Sequence, residues 1–208
     1  MSGPRDSQFS DSEQPIAGFT HTDWQNRYDE GRTGWDRGEA SPILRSWLST
    51  GVLKPCRILV PGCGRGHEVI ALAEAGFQVT AVDFADSAVK SLSQEIDRRG
   101  LQAEIVQSDV FRLNPDTSFD AIYEQTCLCA IHPGQWERYA DRLRSWLRPD
   151  GRLFAVFMQN DKPGGPPFHC SIDEMQKLFA MGWEWPTFAE RIDHPAGLHE
   201  LAFVLRRM

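Results

Sequence analysis

Three observations predict an α/β fold in which a mostly parallel sheet is covered by helices on both faces. Short apolar runs alternate with amphipathic helical segments from Cys56 to the end of the chain. The first run, "CRILVP", leads into a glycine-rich turn, "GCGRG", that opens a helical pattern. Asp83 and Asp109 stand where the next two runs end. Alternating strands and helices give a parallel sheet because each crossover carries the chain back over one face.

The elements follow in order. "GHEVIALAEAG" repeats apolar residues at helical spacing and stops at Gly76. "FQVTAVD" is a second strand, and "SAVKSLSQEIDRRG" a helix with basic residues in its last turn and Gly100 as its stop. "AEIVQSD" and "FDAIYEQT" are the third and fourth strands, and "PGQWERYADRLRSWL" is a helix starting near Pro133. Pro149, Asp150 and Gly151 turn the chain into a fifth strand, "RLFAVFM". Ser171 caps the next helix, with Glu174 three residues on as in a capping box. "EWPTFAERID" and "HELAFVLRR" form an antiparallel pair at the sheet's end.

One domain is expected over residues 19–208, divided into a helical cap (19–50) and the α/β core (56–208). Residues 1–18, polar and rich in Ser, Pro and Asp, read as a flexible tail and not as a secretory signal. No apolar stretch reaches the length of a membrane span. A net charge of −7 without a basic stripe argues against nucleic acid and for a small-molecule partner. Five cysteines, an odd count set mostly in apolar runs, fit buried thiols in a reducing cytoplasm. Cys127, Cys129 and His132 lie close together, but their spacing matches no zinc pattern, so no metal is expected.

The glycines narrow the ligand. Gly62, Gly64 and Gly66 are spaced G-x-G-x-G, and His67 stands where a dinucleotide fingerprint has its third glycine. The Gly-Lys-Ser/Thr ending of a triphosphate loop is also absent. A glycine turn still admits a ligand close to the backbone, and the amides after it attract an anion. In parallel sheets ligands bind at the carboxyl ends of strands. There Asp83 can accept ribose hydroxyls, and Asp109 a hydrogen bond from an adenine amino group. Each Asp alone is as readily a turn residue. Together with the loop they specify an amino acid–adenosine conjugate without phosphates, S-adenosyl-L-methionine.

At this point the chain resembles the class I S-adenosylmethionine-dependent methyltransferases, a Rossmann-like fold with a seven-stranded sheet. More narrowly it resembles the thiopurine S-methyltransferase superfamily, on its thiol and halide branch. The resemblance rests on "W…RY…TGWDRGEASP" (Trp24 to Pro42), "LVPGCGRGHEV", "AVDFADSAV", "CLCAIHP" and "GGPPFHCS".

The resemblance implies that Trp24, Tyr28 and Trp35 close over the cofactor, whose sulfonium an aromatic face attracts. Aromatic residues at helical spacing are otherwise read as packing. It further implies that Gly62, Cys63 and Gly64 receive the methionine portion, Asp83 with Phe84 the ribose, and Asp109 with Val110 the adenine. Gln125 falls where thiopurine enzymes carry Arg and the plant enzymes Tyr, a departure that puts thiopurine substrates in doubt. Glu124 matches an acid of the family and is equally readable as a strand-end acceptor. Phe168 and His169, in the "DKPGGPPFHCS" loop, are expected beside the acceptor. Glu124 and His169 are the only candidates for a base. None is required, because a thiol near pKa ~8.5 already supplies thiolate.

The implied activity is methyl transfer to a thiol or sulfide, or to a halide, selenium or tellurium species, leaving S-adenosyl-L-homocysteine, by a monomer. The alternatives are an O- or N-methyltransferase of a small metabolite and a non-catalytic cofactor-binding protein.

Overall fold

The computed structural model describes residues 19–187, 189–193 and 198–208. The expected tail, residues 1–18, lies outside them. Eight strands form one sheet in the order β3-β2-β1-β4-β5-β8-β6, with β7 also on β8. They are β1 (Arg57–Pro61), β2 (Gln78–Asp83), β3 (Glu104–Gln107), β4 (Phe119–Gln125), β5 (Leu147–Gln159), β6 (Trp183–Glu184), β7 (Glu190–Asp193) and β8 (His199–Arg207). β1 to β5 pair in parallel, while β8 runs antiparallel to β5, β6 and β7. The architecture is the expected Rossmann-like one, a mostly parallel sheet with helices on both faces, but the count of seven strands is corrected to eight among the described residues. The segment expected as one strand, "EWPTFAERID", enters the sheet as two, β6 and β7, on different stretches of β8.

Among the described residues six α-helices accompany the sheet: α1 (His21–Asp29), α2 (Pro42–Ser49), α3 (His67–Glu74), α4 (Asp86–Arg99), α5 (Trp136–Trp146) and α6 (Ile172–Leu178). The helix expected from Pro133 begins instead with a 3-10 turn, Pro133–Gln135, and becomes α-helical at Trp136. Ser171 Oγ accepts from the Glu174 amide at 3.4 Å and donates to its carboxylate at 2.8 Å, capping α6. The turn at Pro149–Gly151 is an excursion within β5. Phe119 faces Leu147 while Ala121 already faces Arg152, and Asp150 takes φ 60°.

Side chains alternate between two cores, as pleated strands require. Leu59, Leu153, Ala155 and Phe157 join α5 and α6 on one face. Ile58, Val60, Phe154 and Val156 join α2, α3 and α4 on the other.

The two cap helices are anchored differently. α2 buries Ile43, Leu44 and Trp47, and the Trp47 ring stacks edgewise on Phe154 at 5.1 Å. Full burial of one such side chain contributes about 1.5–3 kcal/mol, so three fix α2 firmly. No residue of α1 is fully buried; Trp24, Arg27 and Tyr28 are half-buried, and polar bonds hold the helix. His21 Nε2 meets the Phe84 carbonyl at 2.8 Å, and Gln25 donates to Ser87 at 2.6 Å. Bonds of this kind contribute roughly 0.5–1.5 kcal/mol each, which leaves α1 the more weakly held wall.

Candidate active site

The site is built at the switch point of the sheet, where β1 is flanked by β2 on one side and β4 on the other. The glycines at the end of β1 all adopt left-handed backbone, φ 59° at Gly62, 53° at Gly64 and 73° at Gly66. Space is as restrictive as backbone. A Cβ on Gly62 would sit 2.9 Å from Cys127 Cβ and Sγ, and one on Gly64 would sit 2.8 Å from the Tyr28 hydroxyl. Only glycine fits at these two positions.

Asp83 closes the loop from below. Its Oδ2 accepts from the Gly64 amide at 2.8 Å and its Oδ1 from the Ala85 amide at 2.9 Å. Burial raises its pKa above the carboxylate value of 3.8, against the pull of those backbone bonds. Each carboxylate oxygen has two lone-pair sites, so acceptor capacity remains after both amides are served. One strand further, Asp109 Oδ1 accepts from the Phe111 amide at 2.9 Å.

These groups edge a cavity of about 570 Å³. Gly62, Asp83, Phe84, Asp109 and Val110 line it, together with Trp24, Tyr28 and Trp35 from the cap. The Trp35 ring meets Trp24 at 5.4 Å and Tyr28 at 5.8 Å, both nearly perpendicular. Burial and the nearby Asp83 carboxylate raise the Tyr28 pKa, so its phenol stays neutral.

Cys63, Gly64 and Gln125 lie elsewhere, around an adjoining space of about 60 Å³ that shares Trp35, Gly62 and Thr126 with the large cavity. Gln125 belongs to a buried polar network. It receives the Tyr123 hydroxyl at 2.6 Å and donates to Glu200 at 2.9 Å, and Glu200 pairs with Arg37 at 3.3 Å. The "TGWDRG" segment is thereby tied to β8. The same segment meets the glycine loop through Asp36, whose Oδ1 lies 2.8 Å from His67 Nε2. His67, which departs from the dinucleotide pattern, thus has a partner of its own.

The loop expected to form the acceptor pocket contributes different residues. Pro166 and Pro167 line the cavity, whereas Phe168 and His169 do not. Phe168 packs its ring against His132 at 5.5 Å and donates its amide to the Cys129 carbonyl at 2.7 Å. His169 Nδ1 accepts from the Asn160 and Asp161 amides at 3.1 and 3.2 Å, stapling the ends of the loop. Glu124 is also outside the cavity lining. It is 1% exposed, and one oxygen accepts from the Leu128 amide at 2.7 Å. Its other oxygen is buried without a hydrogen-bond partner, and burial lifts its pKa to about 7.

Several lining residues escaped the sequence reading: Arg27, Thr126, His132, Gln135 and Met158. Thr126 is left-handed at φ 64°, an outlier for a β-branched residue, and no sequence pattern signals it. His132 was weighed only as a metal ligand. Among the described residues no group of three His, Cys, Asp or Glu is placed to hold a metal. Its Nδ1 accepts from the Gly134 amide at 3.1 Å, which leaves the ring proton on Nε2 when the ring is neutral. All five cysteines are free thiols.

The arrangement fits an adenosyl amino acid. The glycine turn is kept open by the contacts a Cβ would violate, two strand-end carboxylates follow in order, and an aromatic wall faces them. Comparisons with known proteins agree. Residues 19–196 match the family described as thiopurine S-methyltransferase. A probable thiol methyltransferase 2 of Arabidopsis thaliana is 32% identical over 77% of this chain and 73% of its own length. A thiopurine S-methyltransferase of Pseudomonas fluorescens is 31% identical over 77% and 82%. The crystal structure of Burkholderia thailandensis 1,6-didemethyltoxoflavin-N1-methyltransferase, with bound 1,6-didemethyltoxoflavin and S-adenosylhomocysteine, superposes with a TM-score of 0.77. It is 27% identical and covers 90% of this chain and 87% of its own. The chain belongs to the thiopurine S-methyltransferase family and is an S-adenosylmethionine-dependent methyltransferase.

Proposed function

We propose that the protein methylates a small soft nucleophile, a thiol or sulfide first and a halide, selenium or tellurium species within the same chemistry. One observation carries this reading: among the described residues the cavity brings the acceptor no free carboxylate, and its one histidine, His132, has Nδ1 taken by the Gly134 amide and so presents a donor at Nε2. Among the described residues its carboxylates are Asp83 and Asp109, each already accepting backbone amides at the cofactor end. A hydroxyl acceptor of high pKa would need a base, whereas a thiol near ~8.5 ionises without one.

Bound S-adenosylmethionine supplies a methyl group already activated on a sulfonium. The chain's part is to hold, orient and keep dry. We assign the methionine portion to Gly62, Cys63 and Gly64, the ribose to Asp83 and Phe84, and the adenine to Asp109 and Val110. Trp24, Tyr28 and Trp35 shield the reacting end. Their rings exclude water, which strengthens electrostatic contacts inside and leaves the nucleophile unsolvated. Alignment of that nucleophile with the carbon it attacks supplies most of the remaining rate enhancement. Gln125 acts at one remove, holding the cap segment to β8 through Glu200 and Arg37. Burial raises the Cys127 and Cys129 thiols well above their ordinary pKa. They stay neutral and are therefore poor competitors for the methyl group. α1, the weakly held wall, is the element whose opening admits ligands.

A nitrogen acceptor is the second reading, favoured by the likeness to the Burkholderia N-methyltransferase. The deciding assay follows S-adenosylhomocysteine release with bisulfide, small thiols, iodide, a phenol and an N-heterocycle. Turnover concentrated on the sulfur and iodide acceptors supports the thiol reading. Turnover confined to the heterocycle or the phenol overturns it.

A further inference from the structure

The cap contains four arginines, and three have carboxylate partners. Arg32 pairs with Glu30, Arg37 with Glu200 at 3.3 Å and Arg45 with Glu39 at 2.7 Å. Arg27 makes no ion pair among the described residues, although it lines the 570 Å³ cavity. Its Nε is buried without a hydrogen-bond partner. Asp23, one turn earlier, takes the amide and hydroxyl of Thr20 on its Oδ2 at 2.8 and 2.7 Å, and feels the Arg27 charge without forming an ion pair with it. The guanidinium instead lies over aromatic rings, 4.5 Å from the centroid of Phe19, 5.5 Å from Trp24 and 6.0 Å from Trp35.

A cation on these rings poses a problem for the reading just given, on which this inference rests. Trp24 and Trp35 are the faces assigned to shield a sulfonium, which is itself a cation. Two like charges sharing one aromatic wall repel, and the repulsion is large where water is excluded. An anion entering the same space relieves it and fills the guanidinium's empty donor positions.

We propose that Arg27 is a specificity-determining residue that receives the methyl acceptor as an anion. The structure thereby selects charged soft nucleophiles, such as bisulfide, small thiolates and iodide, over neutral ones. In the transfer the anion's electron pair forms the new bond to carbon while the carbon–sulfur bond breaks. That bond's pair remains on sulfur, so one positive and one negative charge vanish together. Arg27 therefore attracts the acceptor more strongly before the reaction than at its transition state. Its contribution is to acceptor affinity, with no gain in kcat.

The test compares wild type, Arg27→Gln and Arg27→Lys. Calorimetry gives Kd for S-adenosylmethionine, which is cationic at sulfur, and for S-adenosylhomocysteine, which is not. Kinetics give KM and kcat for iodide and bisulfide. In Arg27→Gln the ratio of the first Kd to the second is expected to fall about three- to tenfold, because a repelling charge has gone. KM for both anions is expected to rise about tenfold with kcat unchanged or higher, and Arg27→Lys should restore most of both effects. Equal weakening of the two cofactor forms, or an unchanged KM for the anions, overturns the proposal and leaves Arg27 as helix packing. Failure of the thiol reading looks different. Wild type then releases no product with bisulfide or iodide, while the Kd ratio still reports the charge at Arg27.

Discussion

The Asp83 carboxylate accepts the Gly64 amide at 2.8 Å, so the end of β2 holds the glycine loop that follows β1. One side chain thus fixes the loop's shape and offers its remaining lone pairs to a ligand. The cost is a buried carboxylate whose pKa burial raises above 3.8. Such a group favours the folded state most below its unfolded pKa, and that contribution is lost as pH rises through the folded value. Asp83→Asn removes the buried charge. Cofactor affinity should drop at least tenfold by calorimetry, whereas the unliganded thermal midpoint at neutral pH should stay level or rise. A fall in both affinity and midpoint would mean that the amide bond to Gly64 outweighs the burial of the charge.

Gly62 is constrained twice, by φ 59° and by Cys127 at 2.9 Å from any Cβ. A left-handed non-glycine residue costs about 1–2 kcal/mol before any clash. Gly62→Ala should lower the free energy of unfolding by more than that in urea titration. Adding Cys127→Ala should recover only the part owed to Sγ, because the Cys127 Cβ stays 2.9 Å from the new methyl. Complete recovery would show that backbone conformation contributes nothing at this turn.

Glu124 predicts a pH effect unrelated to catalysis. Burial lifts its pKa from 4.5 to about 7, with the Glu200 charge adding to the rise and the Leu128 amide opposing it. Its favourable contribution is full below about 4.5 and is lost by the time pH passes about 7. Between those limits wild type should lose stability relative to Glu124→Gln, which has no proton to release. Parallel unfolding curves of the two proteins from pH 5 to pH 8 would contradict the assignment. Since Glu124 does not line the cavity, kcat for bisulfide should change less than tenfold.

The Arg37–Glu200 pair joins the cap to β8, with side chains 12% and 0% exposed. Removing one member of a buried pair leaves an uncompensated charge, at a cost of roughly 3–5 kcal/mol. Arg37→Met should destabilise the protein on that scale, and proteolysis should cut first within residues 19–50. Arg37→Met combined with Glu200→Gln should recover part of the loss, because the stranded carboxylate is then gone. No recovery would show that packing of the long side chain dominates over charge.

The glycine turn, Asp83 and Asp109 were legible in the sequence because strand-end chemistry is local. A turn at positive φ needs glycine, and an acid after a parallel strand falls at the ligand edge whatever the rest of the chain does. Helical periodicity similarly announced α3, α4 and α5, since the apolar stripe is written along a single segment. The division of "EWPTFAERID" into β6 and β7 was not legible. Whether "EWPTFAERID" pairs once or twice depends on how β8 presents its edge, a relation between segments, as Trp183 pairs with Arg207 and Asp193 with His199. The acceptor side of the site was decided by tertiary structure for the same reason. Phe168 and His169 directly follow the two prolines that line the cavity in an irregular loop, and only its docking on Cys129 determines which of the four do so. Arg27 lies between Trp24 and Tyr28 in a helix whose sequence gives no sign that its guanidinium lies over aromatic rings. The sequence by itself determined the glycine-turn end of the cavity, where backbone conformation dictates residue type. The tertiary structure alone decided the opposite end, where distant segments meet and each side chain's partners are set by packing.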